Sequence, residues 1–247
     1  MTRLDQALVE RGLCESRERA QRAILAGQVR VNAQRAHKPS NAVQPEDALT
    51  LEAGEKYVSR GGYKLEHALR HFQVDVTGLT VLDLGASTGG FTDCLLQYGA
   101  AKVFAVDVGQ GQLAWKLRQD RRVVVMEKIN ARHLKPERFP QPFIPADLVV
   151  IDCSFISLQK ILPAAIALLK PAGKIVALIK PQFEAGKAEA DKGRGVIRDP
   201  AVHERVVDEL REFVRGRTGV CWRGVVESPL PGPAGNLEFL ALIEKTG

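Results

Sequence analysis

Hydrophobic residues in the first fifty positions recur at helical spacing, with polar residues between them. In residues 3–11, RLDQALVER, the side chains of Leu4, Ala7 and Leu8 fall on one face, and Gly12 stops the helix. Ser16 is placed to cap a second helix. Residues 17–26 turn Ala20, Ala23 and Ile24 inward and Arg17, Arg19 and Arg22 outward, and Gly27 ends the run. Val29 and Val31, and then residues 48–51, alternate as short strands. Two short helices and a small sheet predict a minimal α+β domain over residues 1–54, of marginal stability alone. Residues 55–59 read as a linker in which Tyr57 packs, and residues 60–247 as a larger domain.

Beyond residue 60 the pattern alternates between strand and helix. Apolar runs begin at Val81 and Leu82 and recur at residues 102–106, 123–126, 148–151 and 175–179, with helix-like stretches between them and a closing strand at 237–243. Asp199 followed by Pro200 is a helix start, and Val202, Val206, Leu210 and Phe213 give that helix one apolar face. This alternation predicts an α/β fold with a doubly wound sheet, in which ligands bind beyond the carboxyl ends of the strands.

Composition narrows the setting. The 247 residues are 45% apolar and 26% charged, which is enough for a packed core. The longest apolar run, residues 161–169, is interrupted by Pro163 and is far shorter than the roughly 20 residues that span a bilayer. MTRLDQ at the start lacks the apolar stretch of a signal peptide, and Cys14, Cys94, Cys153 and Cys221 form no CxxC pair. A reducing cytoplasm without membrane attachment is the expectation, and no sequence signal bears on oligomeric state. The net charge of +6 is informative only by position: residues 1–45 hold eight basic side chains against four acidic ones. Charge alone favours a solvated helix face.

The chemistry concentrates at the first βα turn. Residues 83–90, DLGASTGG, stand where a strand becomes a helix, so glycines let the backbone approach a ligand; Asp107 ends the next strand, where a carboxylate can bind ribose hydroxyls. A dinucleotide site needs G-x-G-x-x-G, which G-A-S-T-G-G does not supply. Four further polar residues belong to the same edge: Lys64 in SRGGYKL, Asp152 after residues 148–151, Lys180 after residues 175–179, and Glu238 in the closing strand. Singly, a strand-end lysine is usually solvated and a strand-end aspartate usually a cap. Together they surround the edge where such sheets bind ligands. No metal site is expected.

The string RLDQALVERGLCESRERAQRAILAGQVRVNAQ resembles the S4 RNA-binding domain, which implies that Arg3, Arg17, Arg19, Arg22 and Arg30 hold RNA phosphates through guanidinium forks. The glycine loop and Asp107 resemble the S-adenosylmethionine site of class I (Rossmann-like) methyltransferases. That resemblance implies donor binding by Asp83, Gly85, Ala86, Ser87, Thr88, Gly89, Gly90, Asp107 and Asp152, with Asn130 beside the adenine. The order Lys64, Asp152, Lys180, Glu238 resembles the catalytic tetrad of FtsJ-type RNA 2′-O-methyltransferases. SRGGYKL, DCSFISL, LIKPQFE and NLEFL are similar to the hemolysin A (TlyA) family of S4-containing rRNA methyltransferases. The resemblance implies S-adenosylmethionine-dependent 2′-O-methylation of cytidine in 23S rRNA, with 16S rRNA a further target in some members, and ribosomal RNA or a ribosomal subunit as partner.

A ribose hydroxyl is a poor nucleophile, so this chemistry needs in-line alignment and removal of a proton. Lysine takes a proton only when neutral. Desolvation, the neighbouring Lys64 and a sulfonium charge all disfavour a protonated Lys180, which makes it the base or the acceptor of the proton, with Asp152 and Glu238 orienting the lysines and the ribose; which group finally takes the proton does not follow from sequence. Residues 184–198, with three glycines and four basic side chains, read as a lid ordered by RNA, with plain disorder an equal alternative. Competing classes make other demands. A cytosine C5-methyltransferase could use Cys153, but no Pro-Cys pair occurs and adjacent strand residues face opposite ways. A non-catalytic ribosome-assembly factor is disfavoured by the intact glycine loop, and a membrane-active hemolysin by the lack of an apolar or strongly amphipathic segment.

Overall fold

The computed structural model describes residues 1–52 and 54–246, in two compact units, Met1–Lys56 and Tyr57–Gly247. The division falls inside the segment read as a linker. Tyr57 belongs to the core of the second unit, where its ring stands edge-on to Tyr63.

In the first unit, β1 (Thr2–Arg3), α1 (Leu4–Glu10) and α2 (Arg17–Leu25) precede β2 (Val29–Val31), β3 (Gln34–Arg35), β4 (Ala42–Val43) and β5 (Leu49–Leu51). Ser16 caps α2 by accepting the Arg19 N–H at 3.2 Å, which satisfies one of the free donors of the first turn. Leu4, Ala7, Leu8, Ala20, Ala23, Ile24 and Val29 form the core, as the periodicity requires. Strand β2 lies between β3 and β5, all antiparallel, and β1 pairs separately with β4.

The second unit is built on a seven-stranded sheet. Its elements are α3 (Gly61–His71), β6 (Thr80–Leu84), α4 (Gly90–Gln97), β7 (Lys102–Val106), α5 (Trp115–Arg118), β8 (Val123–Met126), β9 (Ala146–Ile151), α6 (Leu158–Ala167), β10 (Leu169–Ile179), α7 (Pro181–Glu184), α8 (Lys187–Lys192), α9 (Pro200–Arg215), β11 (Val220–Glu227) and β12 (Phe239–Lys245). The strand order is β11-β12-β10-β9-β6-β7-β8. The five strands from β10 to β8 run parallel, whereas β12 is antiparallel to both β10 and β11. Alternate residues feed two cores, one on each face of the sheet. Leu82, Val149, Ile151, Ile175, Ala177 and Ile243 point to one, while Val81, Leu148, Val150, Val176, Leu178 and Leu242 point to the other.

Two elements escaped the sequence pattern. β11 is a half-buried edge strand whose alternation is broken by a register shift between Trp222 and Gly224, and α3 begins with two glycines. Residues 184–198 carry structure of their own and are not plain disorder. They contain α8, and their far end is pinned where buried Asn236 accepts the Ile197 N–H at 2.9 Å and donates to the Gly195 carbonyl at 2.8 Å. Among the described residues no helix is long and apolar enough to cross a membrane.

Candidate active site

Strand order reverses between β6 and β9, so the turns that leave these neighbours diverge and open a crevice between them. Residues 85–90 line it from the β6 side. Gly85 (φ +88°) lies so close to the β9 exit that a Cβ there would stand 2.7 Å from the Asp152 carbonyl oxygen. Gly89 (φ +97°) precedes α4, and a Cβ there would strike Leu113 and Leu117, which cover the loop. Two adjoining cavities of about 460 Å³ each share Gly85, Ser87, Asp152 and Ser154 as walls. One extends towards Ser59, Lys64, Lys180, Pro231 and Glu238; the other towards Asp107, Gln112, Asn130, Cys153 and Phe155.

The four expected catalytic side chains meet in the first cavity. Asp152 follows β9 and Lys180 follows β10, two parallel neighbours, so both stand at carboxyl ends. Glu238 stands immediately before β12 rather than within it. Because that strand runs antiparallel, with Phe239 opposite Ile179, its beginning lies at the same edge. Lys64 comes from α3. Two ion pairs result: Lys64 Nζ to Glu238 Oε2 at 2.5 Å, with side chains 7% and 1% exposed, and Lys180 Nζ to Asp152 Oδ1 at 2.6 Å, 11% and 25% exposed. Lys180 also donates to Ser154 Oγ at 2.9 Å.

In the second cavity, Asp107 is fixed by the loop it faces. Its Oδ2 accepts the Ser87 N–H at 2.8 Å and its Oδ1 the Gly109 N–H at 2.7 Å. A carboxylate offers about four acceptor positions, so roughly two remain for a ligand. Asn130 lines this cavity, but its Oδ1 caps a short 3₁₀ turn by accepting the Arg132 N–H at 3.0 Å. Asp83 does not line either cavity. It is fully buried beneath the turn; Oδ2 accepts the Thr92 hydroxyl at 2.6 Å, and Oδ1 has no hydrogen-bond partner among the described residues. Burial pushes its carboxyl up to about 7, partly offset by Thr92 and reinforced by Asp152. Cys153 donates weakly to the Leu84 carbonyl at 3.4 Å, and burial, with Asp152 adding, pushes its thiol up to about 12, so it is no ready nucleophile.

The five arginines of the first unit singled out from sequence do point outward, and each has a carboxylate partner: Arg3 and Arg17 share Asp5, Arg19 pairs with Glu15, Arg22 with Glu18 and Arg30 with Glu52. The Arg3 hydrogen bond, with Gln21 and Arg17 against the cost of burial, holds the Asp5 carboxyl well below the usual carboxylate range. In the second unit, Lys128, Arg132, Lys135 and Arg138 flank the cavity wall at Asn130. They are exposed and have no ion pair among the described residues.

The model of the FtsJ-like methyltransferases matches residues 57–245, which includes both cavities, and the S4 domain model matches residues 2–49. The chain belongs to the FtsJ-like methyltransferase family. Within that family it is 48% identical over 241 residues, 96% of this chain and 87% of the relative, to a Mycobacterium tuberculosis protein named 16S/23S rRNA (cytidine-2′-O)-methyltransferase TlyA. It is 43% identical over 239 residues to a Brachyspira hyodysenteriae protein named Hemolysin A, covering 97% and 98% of the two chains. A solved structure from Streptococcus thermophilus that carries a provisional hemolysin name is 46% identical, with a TM-score of 0.73 over 99% of this chain and 88% of that one.

Three residues at this methyltransferase edge were not legible as site residues. Ser154 and Phe155 lie inside the DCSFISL motif, and Phe155 (φ +63°) is 90% exposed with its ring 5.1 Å from that of Phe183. Arg60, in SRGGYKL, donates to the Pro231 carbonyl at 2.7 Å and ties the loop before Glu238 to the start of α3.

Proposed function

We propose that this methyltransferase carries a methyl group from S-adenosylmethionine to the 2′-hydroxyl of a cytidine in ribosomal RNA. The observation that carries the reading is that the Lys180 amine and the Gly85–Gly90 turn line one cavity, joined through Asp152 to a second cavity walled by Asp107. The residues present fit the donor. The Gly85 cradle leaves backbone free to approach it, and Asp107 has acceptor positions left for ribose hydroxyls. The turn, Asp107 and the Asn130 wall would hold it.

When bound, the donor supplies a methyl group made electrophilic by its sulfonium. The chain's own residues do the rest. Asp152 orients the Lys180 amine, and Lys180, once it has given up its own proton and is neutral, receives the proton of the attacking ribose oxygen. Lys64 and Glu238, sealed together, fix the opposite wall, and Phe155, with its ring beside that of Phe183, lines the second cavity. The exposed cations at Lys128, Arg132, Lys135 and Arg138 suit a polyanionic substrate, and so does the S4 domain. The test is tritiated methyl transfer to ribosomal subunits, followed by mass mapping of methylated riboses. A methyl group on a cytidine 2′-oxygen is expected; label on a base, or none, overturns the reading.

A further inference from the structure

Lys180 Nζ carries three positions besides its carbon, and two of them are taken. Asp152 Oδ1 lies 2.6 Å away and Ser154 Oγ 2.9 Å away. Both acceptors face the same cavity, and Ser154 also walls the neighbouring one. An amine that donates to two fixed acceptors has its remaining tetrahedral position fixed as well. In the neutral amine that position is the lone pair.

The serine is itself anchored. The turn that carries it begins with the Asp152 N–H donating to the Leu84 carbonyl at 2.9 Å. It ends where the half-buried Glu184 carboxylate accepts the Ser157 hydroxyl at 2.6 Å and the Leu158 N–H at 2.7 Å, closing the start of α6. Between these points Phe155 adopts a left-handed backbone, which turns the chain just after Ser154. On the lysine side, Pro181 follows at once and opens α7, so the backbone that presents the amine is restrained too.

We propose that Ser154 is a positioning residue: by accepting one N–H of Lys180 while Asp152 accepts another, it aims the third position of that nitrogen at the ribose hydroxyl. The proposal rests on the reaction proposed above. With Asp152 alone, the neutral amine can rotate about its last side-chain bond and still donate one hydrogen bond to the carboxylate, so the proton acceptor is present but misaimed. Alignment of this kind affects the rate of the chemical step and leaves ligand affinity alone.

The test uses the full chain, tritiated S-adenosylmethionine and ribosomal subunits from cells lacking the enzyme, read as single-turnover rates. Ser154→Ala is expected to slow methyl transfer about 10- to 100-fold, while donor affinity by calorimetry, the KM for subunits and the melting temperature stay at the parent's values. Ser154→Thr, which keeps an acceptor oxygen, is expected to restore most of the rate. An undiminished rate in Ser154→Ala overturns the assignment, and so does equal impairment of the alanine and threonine variants, which points to the turn rather than the oxygen. Failure of the unaltered chain to transfer label is a different result, because it removes the proposed reaction and the serine's part in it together.

Discussion

The two lysine–carboxylate pairs have nearly the same separation and very different surroundings. Lys64 and Glu238 are sealed from solvent on both sides, whereas Asp152 keeps a quarter of its side chain open to the cavity beside Lys180. A buried charge that loses its partner is left uncompensated, while an open one can be solvated by water. The same chemical motif therefore serves two ends. The sealed pair holds α3 against the start of β12, and the open pair faces the cavity, where the proposed reaction needs a proton acceptor.

Deleting each lysine separates these ends. Lys180→Ala is expected to lower methyl transfer about 10²- to 10⁴-fold, with donor affinity by calorimetry close to that of the parent; retained turnover breaks the distinction. Lys64→Ala leaves Glu238 buried and unpaired, and urea unfolding should show a loss of about 3–5 kcal/mol. The double change Lys64→Met with Glu238→Leu should recover most of that stability without recovering turnover.

Asp83 extends the comparison to a buried carboxyl with no cation at all. Its carboxyl titrates near 7 in the folded chain because of burial, against about 3.9 when unfolded. A raised folded value means that Asp83 contributes its stability below about pH 4 and loses it as pH rises through 7. Asp83→Asn should therefore gain on the parent across that window, by about 2–4 kcal/mol between pH 4 and pH 8, as read by urea unfolding at both ends. At the exposed extreme, replacing Arg17, Arg19 and Arg22 together should leave stability within about 1 kcal/mol. RNA affinity should fall severalfold and its salt dependence flatten, measured by titration at two ionic strengths.

What the sequence made legible follows from how far each signal reaches along the chain. Asp152 and Lys180 announce themselves because each directly follows an apolar run, and a parallel sheet sends such ends to one edge. Glu238 was visible as part of a motif but was placed inside the strand, one residue too far along, although its approach to Lys64 spans 174 residues. Ser154 sits two residues from Asp152, yet its bond to Lys180 depends on a turn completed by a left-handed phenylalanine, which no periodicity encodes. The outward stance of Arg17 followed from helical spacing. Its bond to Asp5 did not, because that bond requires α1 and α2 to pack first. The order within residues 184–198 was not legible because the tie from Asn236 to Ile197 joins residues 39 apart.

Strand β12 follows β11 in the chain but lies between β11 and β10 in the sheet. The last two strands form an antiparallel hairpin whose connecting segment ends at Glu238. Until that hairpin seats, a folding chain can possess the methyl-donor turn and Lys180 yet have nothing opposite Lys64. Closure of the sheet edge and pairing of Lys64 therefore depend on the same strand.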